Sequence, residues 1–154
     1  VHPDDLIMKN NLAYILAHMP KGIQEAADMI PWLEKNYGGK QEIIDTMAFV
    51  LMKAGKYREC RQKLETILRL EKEGTLFWFR ARMCGAEIAT RLGNYDEARK
   101  TLQEMLNRSR NIPDEDILYA NKLLSDVATE ELKAEIHRKS FPASDTNRPA
   151  GGRN

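Results

Sequence analysis

The side chains that most often carry catalysis or bind metal are few in this chain and lie far apart. His2, His18 and His137 are widely separated, and no His-x-x-x-His or Cys-x-x-Cys pair supplies the spacing of zinc ligands. Gly38 and Gly39 lack the following Lys-Ser or Lys-Thr of a phosphate-binding loop. No serine stands out with a neighbouring base that would activate it. We therefore expect no enzyme activity, no metal and no cofactor.

Charge and hydropathy narrow the classes of partner. Lys plus Arg number 24 and Asp plus Glu 23, so the formal net charge is +1, whereas a nucleic-acid-binding protein depends on a surplus of cations facing phosphates. The longest apolar runs, such as residues 47–52, are far shorter than the roughly 20 residues that span a bilayer. We expect no nucleic acid partner, no membrane span and, because no signal peptide is visible, a cytoplasmic location. A chain that begins with Val1 is also compatible with excision from a longer protein.

Helical periodicity runs through the chain, with prolines and glycines mostly at its breaks. Pro31 is the exception, since it lies inside a periodic segment and is expected to kink it or force a local rearrangement. Cys60 and Cys84 belong to different helical segments and are expected to be reduced core thiols. The predicted helices span about residues 4–18, 23–36, 40–53, 57–71, 76–92, 95–110 and 113–139.

Three short segments repeat at the starts of helices: Lys21–Ala26, Gly55–Cys60 and Gly93–Ala98. Their ends are 34 and 38 residues apart. In each, glycine ends one helix, an apolar side chain fills the gap between the paired helices, and glutamate lies near the positive end of the next helix. A small residue then lets the two helix axes approach closely.

The segments Gly55-Lys-Tyr-Arg-Glu-Cys60 and Gly93-Asn-Tyr-Asp-Glu-Ala98 resemble the Gly-x-Tyr-x-Glu-Ala turn of the tetratricopeptide repeat (TPR) family. The resemblance covers about residues 6–111. The first repeat departs from the motif, with Gly22 one place late, and Lys72-Glu-Gly74 lengthens the joint between the second and third repeats.

The resemblance implies an all-α, right-handed superhelix that occupies residues 1–139. Its parts would be three helix–turn–helix repeats, at about residues 6–38, 40–74 and 76–111, and a long capping helix at 114–139. The last helix would bury Ile117, Ala120, Leu124, Val127 and Leu132 on one side. It is either a simple cap or the first helix of a fourth repeat. Residues 140–154 have no helical pattern and are expected to be flexible or partner-dependent.

In this architecture the first helix of each repeat lines a concave wall, and side chains beside the packing stripe face a ligand. Tyr14 and Phe49 occupy equivalent repeat positions, so they form either an apolar platform for a peptide or ordinary packing. Asn10 and Asn11 offer paired donors and acceptors for a peptide backbone. The full set of candidate ligand-binding residues is Asn10, Asn11, Tyr14, Glu42, Asp45, Phe49, Met52, Arg80, Met83 and Glu87.

The resemblance implies an adaptor that binds a peptide or protein segment in the concave groove. A self-assembly module that forms homo-oligomers is the alternative. Binding of acidic chaperone tails is disfavoured, because only Asn10 and Arg80 match the polar clamp that such members use. An RNA-reading repeat is disfavoured by the acidic side chains of Glu42, Asp45 and Glu87 on the wall.

The densest aromatic cluster is Phe77-Trp78-Phe79. On a helix these three side chains point in three directions, so they cannot all face one neighbour. They either fill the enlarged joint after the second repeat or include an exposed hot spot for a partner.

Overall fold

The computed structural model describes residues 3–108 and 110–140, with side chains from Asp5 onward. These residues form seven α-helices and no strand, which confirms the all-α class. Of the tail expected at residues 140–154, only Ser140 is among the described residues. The helices are α1 (Pro3–His18), α2 (Ile23–Tyr37), α3 (Gln41–Lys53), α4 (Tyr57–Leu70), α5 (Leu76–Arg91), α6 (Tyr95–Arg108) and α7 (Asp114–Ser140).

The turns that carry the repeated glycine have a shared geometry in the second and third hairpins. Gly93 has φ +79°, a left-handed conformation that glycine adopts without strain. The backbone N–H of Asn94 then donates to the carbonyl of Ala89 at 2.8 Å, which closes the end of α5. Gly22 differs: its φ is −93°, and a Cβ there would lie 2.6 Å from the carbonyl oxygen of Leu16. The first turn therefore needs glycine for close approach rather than for backbone rotation.

Pro31 lies inside α2 without ending it. The helix runs from Ile23 to Tyr37, and Pro31 is on its exposed face. On the buried side Ile30 and Leu33 pack into the core, so tertiary packing holds the helix on both sides of the proline.

The helices pair along the chain and then stack. Consecutive helices form the hairpins α1–α2, α3–α4 and α5–α6. The odd-numbered helices also contact one another in succession, α1 with α3, α3 with α5 and α5 with α7. Within the described residues no contacts join α2 to α4 or α4 to α6. One row of helices is therefore continuous, and the helices of the other row contact only the continuous row.

The core consists of two hydrophobic clusters joined by α5. The first contains buried side chains of α1 to α4, together with Ala81 and Ile88 of α5. The second joins Phe79 of α5 to side chains of α6 and α7, including Leu102 and Val127. Because α5 supplies side chains to both clusters, it couples the two halves of the molecule.

The aromatic triplet at the start of α5 fills the joint between these clusters. Phe79 is completely buried in the second cluster. Phe77 packs against the first cluster and Trp78 against the second, both half-buried. The three side chains point in different directions from the helix, and for that reason they pack into both clusters.

The apolar side of α7 is shorter than expected. Ala120 and Val127 are buried, and Leu123 is buried beside them. Leu132, which we expected on the buried side, is exposed, as is Ile136. In this part of α7 the contact with α6 is polar, since Glu131 pairs with Arg99, and Leu132 and Ile136 lie on the exposed side of the helix.

Cys60 and Cys84 are free thiols that lie next to each other across α4 and α5. Their Sγ atoms are 3.7 Å apart, and the Cys60 thiol donates to the carbonyl of Ala48 at 3.1 Å. Contact with Cys60 and burial raise the pKa of the Cys84 thiol far above its usual range. The Cys84 thiol therefore stays protonated. Cys60 is buried in the core and Cys84 is half-buried beside it.

Candidate binding groove

The odd-numbered helices enclose a cavity of about 340 Å³, which we call the groove. Four helices supply its walls, and most lining side chains of a helix have a neighbour three or four residues along, so each helix presents one face. The lining residues are Tyr14 and His18 of α1; Asp45, Ala48, Phe49 and Lys53 of α3; Arg80 and Met83 of α5; and Glu115, Asp116 and Tyr119 of α7.

An aromatic cluster forms one wall of the groove. The ring of Phe49 lies 5.1 Å from Tyr14 and 4.8 Å from His18, and Tyr14 and His18 are 4.8 Å apart in an edge-on arrangement. These separations are typical of stabilising aromatic pairs. Tyr14 nevertheless remains 42% exposed. The cluster is thus both packed and accessible, which combines the two alternatives considered for Tyr14 and Phe49.

A hydrogen-bonded rim centred on Glu87 lies beside this wall. The Glu87 carboxylate accepts from the Tyr119 hydroxyl at 3.0 Å and from Arg91 Nη2 at 2.8 Å. Lys53 Nζ lies 3.5 Å from Glu87 and 5.2 Å from the ring centre of Phe49. Burial and the Glu87 charge raise the pKa of the Tyr119 hydroxyl, which keeps it a hydrogen-bond donor. The rim ties α3, α5 and α7 together.

Arg80 crosses the floor of the groove and joins α5 to α7. Its Nε and Nη2 donate to the two carboxylate oxygens of Asp116 at 2.9 and 3.1 Å. Such a two-point contact is the strongest geometry for an arginine–carboxylate pair. The hydrogen bond to Asp116 raises the pKa of Arg80, so the guanidinium stays charged. Asp45 lies on the other side of Arg80, 3.8 Å from Nη1, too far for a hydrogen bond.

Asp45 is the least well paired carboxylate of the floor. Burial raises its pKa from the ordinary 3.8 to about 6, the nearby charge of Asp116 adds to the rise, and Arg80 opposes it. Desolvation outweighs attraction here because Arg80, which lies beside Asp45, already donates two hydrogen bonds to Asp116. At neutral pH the groove therefore holds an ionised Asp45 carboxylate whose ion pair with Arg80 is long, at 3.8 Å.

The raised pKa predicts that Asp45→Asn stabilises the protein at neutral pH. As pH rises, the unfolded chain loses this proton near pH 3.8 and the folded protein only near pH 6. The stability that the bound proton contributes is therefore complete below pH 3.8 and is lost as pH rises through 6. We expect Asp45→Asn to raise the free energy of unfolding by about 1–2 kcal/mol at pH 7.5.

Urea denaturation of both proteins at several pH values between 4 and 7.5 measures this effect. The gain from Asp45→Asn should shrink toward the acid end of the range. Glu115→Gln, at an exposed lining residue, is the matched control and should change stability by less than about 0.5 kcal/mol. A gain that is the same at every pH would contradict the explanation.

Five of the ten candidate ligand-binding residues line the groove. They are Tyr14, Asp45, Phe49, Arg80 and Met83. Met52 was a wrong assignment, because its side chain is only 1% exposed and belongs to the core. The reason is that α3 packs against α1, α2, α4 and α5. The strip of α3 that lines the groove consists of Asp45, Ala48, Phe49 and Lys53.

The other four candidates lie outside the lining of the groove. Asn11 and Glu42 are exposed elsewhere on the surface. Asn10 is half-buried, and its buried Oδ1 has no hydrogen-bond partner among the described residues. Glu87 is close by, since it accepts hydrogen bonds from the rim, but its carboxylate is engaged there rather than open to a ligand.

Sequence reasoning missed lining residues of two kinds. His18 and Lys53 lie one helical turn after Tyr14 and Phe49, so continuing the same face by four residues would have found them. Glu115, Asp116 and Tyr119 come from α7. As a simple cap, α7 would not be expected to supply lining residues, whereas the alternative of a first helix of a fourth repeat places it on the wall.

Comparisons with known proteins add no further assignment. No family model matches the chain, and searches of the curated proteins and of the solved structures found no match. In the described part of the chain no three His, Cys, Asp or Glu side chains come together in a way that would hold a metal ion. None of the described helices is both long and apolar enough to cross a membrane.

Proposed function

We propose that this protein is an adaptor of the tetratricopeptide repeat type that binds a peptide segment of a partner protein in the groove. The observation that carries the proposal is the exposed aromatic wall of Tyr14, His18 and Phe49 above an ion-paired floor. Such a combination offers an apolar anchor site and directional polar contacts in one concave place, as ligand sites usually do. The proposed role is binding without a chemical step.

The pattern of helix contacts supports the repeat-type architecture. The odd-numbered helices contact one another, whereas the described even-numbered helices do not. When the helices of one row touch one another and those of the other row are spread apart, the stack is expected to curve toward the row whose helices touch. The groove lies on that side, where TPR proteins are expected to hold their ligands.

The aromatic wall suits an apolar side chain of the ligand. Because Phe49 is held by contacts with Tyr14, His18 and the Lys53 ammonium, its ring loses little freedom when a ligand arrives. Preorganisation of this kind raises affinity by reducing the entropy lost on binding. We propose that an aromatic or large aliphatic side chain of the peptide packs against Tyr14 and Phe49.

The charges around the wall favour a ligand of mixed charge. The lining carries the carboxylates of Asp45, Glu115 and Asp116 and the cations of Lys53 and Arg80. Asp116 and Arg80 satisfy each other, which leaves Asp45 and Glu115 available to a cation. We propose a peptide that places a lysine or arginine close to its apolar anchor.

Phe49→Ala is expected to weaken peptide binding about tenfold or more, because the variant removes the centre of the aromatic wall. Peptides are first selected from a random phage-displayed library on the wild-type protein. Their affinities for the wild type and the variant are then compared by isothermal titration calorimetry. Far-UV circular dichroism should show the same helix content for both proteins.

Tyr37→Ala is the matched control. Tyr37 is also a half-buried aromatic residue, but it pairs with Trp32 at 6.0 Å, away from the groove. The control should keep the affinity of the wild type for the selected peptides. If the library yields no specific peptide, or if Phe49→Ala binds the selected peptides as well as the wild type does, the groove is not the peptide site.

A further inference from the structure

Helix α1 carries a second apolar face that no described element covers. Leu6, Ala13 and Ala17 form its buried face. On the opposite side Met8, Leu12, Ile15 and Met19 expose 66, 46, 57 and 52% of their surfaces. The spacing of four and three residues keeps Met8, Leu12 and Ile15 on one line along the helix, and Met19 directly follows the last helical residue, His18. We call these four residues the α1 stripe.

Such a helix differs from an ordinary end of a helical stack. A surface helix normally turns a polar face to water, and a helix that is apolar on opposite sides is normally buried on both. Terminal helices of repeat arrays keep a polar outer face for the same reason. The α1 stripe therefore has the character of a contact surface rather than of a solvent-exposed face.

We propose that the α1 stripe joins two copies of this chain, with the two α1 helices packed antiparallel. The two-fold axis would pass between Leu12 and Ile15. Met8 of one copy then faces the same region as Met19 of the other. A two-fold contact of this kind uses one surface twice, so the single stripe supplies both halves of the interface. The contact lies beside the groove and does not depend on ligand binding there.

The charges at the ends of α1 favour the antiparallel arrangement. Asp5 is exposed in the first turn, and Lys21 is exposed just after the last turn. Antiparallel packing brings the acidic end of one helix to the basic end of the other, at both ends of the pair. It also sets the positive end of each helix dipole beside the negative end of its partner. A parallel pair would place like charges together.

The exposed area is sufficient for a weak dimer. The four side chains expose roughly 400 Å² per copy, so that with their polar margins a dimer would bury about 1,000 Å² in total, near the lower end of specific interfaces. Buried area alone does not set affinity, but an interface this small is usually weak, so we take a dissociation constant on the order of 10 µM. We therefore expect a monomer–dimer equilibrium rather than a permanent dimer.

Sedimentation equilibrium of the whole chain over a concentration series tests the proposal. The wild type is expected to change from monomer to dimer as the concentration passes through about 10 µM. Ile15→Glu places two carboxylates beside the two-fold axis and should weaken the dimer at least tenfold. The control is Leu118→Glu on α7, an equally drastic change at a residue that is 69% exposed outside the stripe, and it should dimerise like the wild type.

A charge exchange tests the orientation. Asp5→Lys alone and Lys21→Asp alone should each weaken the dimer about threefold at low salt, and the double variant should regain most of the loss. Circular dichroism confirms that each variant keeps its helices. A wild type that stays monomeric up to several hundred micromolar would overturn the proposal, as would a dimer that persists in Ile15→Glu. If the double variant dimerises no better than the single variants, the antiparallel arrangement is excluded.

Discussion

Replacing Phe79 by alanine is expected to lower the free energy of unfolding by about 3–5 kcal/mol, the usual range for a buried phenylalanine. Phe79 is completely buried and lies in the cluster that holds α7 against α5 and α6. The substitution removes the transfer free energy of the ring and leaves a cavity that the helix backbones cannot close. Urea denaturation followed by far-UV circular dichroism measures the loss.

Phe77→Ala is the natural comparison, because the same residue type is removed two positions earlier on α5. Phe77 is only half-buried and packs at the edge of the first cluster, so we expect a loss of about 1–2 kcal/mol. Equal losses for the two variants would show that Phe79 does not have the central position assigned to it.

Removing the Arg80 guanidinium is expected to have the second largest effect on stability. Arg80→Met deprives Asp116, whose side chain is 8% exposed, of both hydrogen bonds. It also takes the nearest cation from Asp45. Removing one partner of a buried ion pair leaves the other charge uncompensated. This lowers the free energy of unfolding by about 3–5 kcal/mol when both partners are buried. Since Arg80 is itself about a third exposed, we expect a loss of about 2–3 kcal/mol.

Two variants make this experiment specific. Arg80→Met/Asp116→Leu removes both partners and should recover much of the stability lost in Arg80→Met, because no unpaired charge remains. Arg82→Met changes the same residue type two positions later on α5. Arg82 pairs with the partly exposed Glu104 at 3.3 Å, so its loss should be below about 1 kcal/mol. Equal destabilisation by Arg80→Met and Arg82→Met in urea denaturation would rule out a special role for the floor of the groove.

Local pattern was sufficient to predict most of the helical structure. Breaks at Gly22, Gly55 and Gly93 follow from the conformational freedom and small size of glycine, and periodicity placed all seven helices within about two residues of their observed ends. Tyr14 and Phe49 were found because they recur at equivalent positions. The structure brings their rings together at 5.1 Å.

Other parts of the site depend on how the helices pack. Met52 is buried because α3 has neighbours on nearly every side, and a sequence pattern records which side chains are apolar but not how many helices surround them. The pairing of Arg80 with Asp116 joins residues 36 positions apart. Nothing in the spacing of these two residues along the chain indicates the contact.

The helices, their ends and the side chains that each can present follow from interactions within a few residues, so they can be predicted from the sequence. Which helix faces pack against one another depends instead on how remote helices meet. The first turn of α7 completes the groove, Leu132 stays in water, and Met8 to Met19 form a second apolar face on α1. Each of these outcomes depends on distances between helices that are remote in the chain, and local propensities carry no information on such distances.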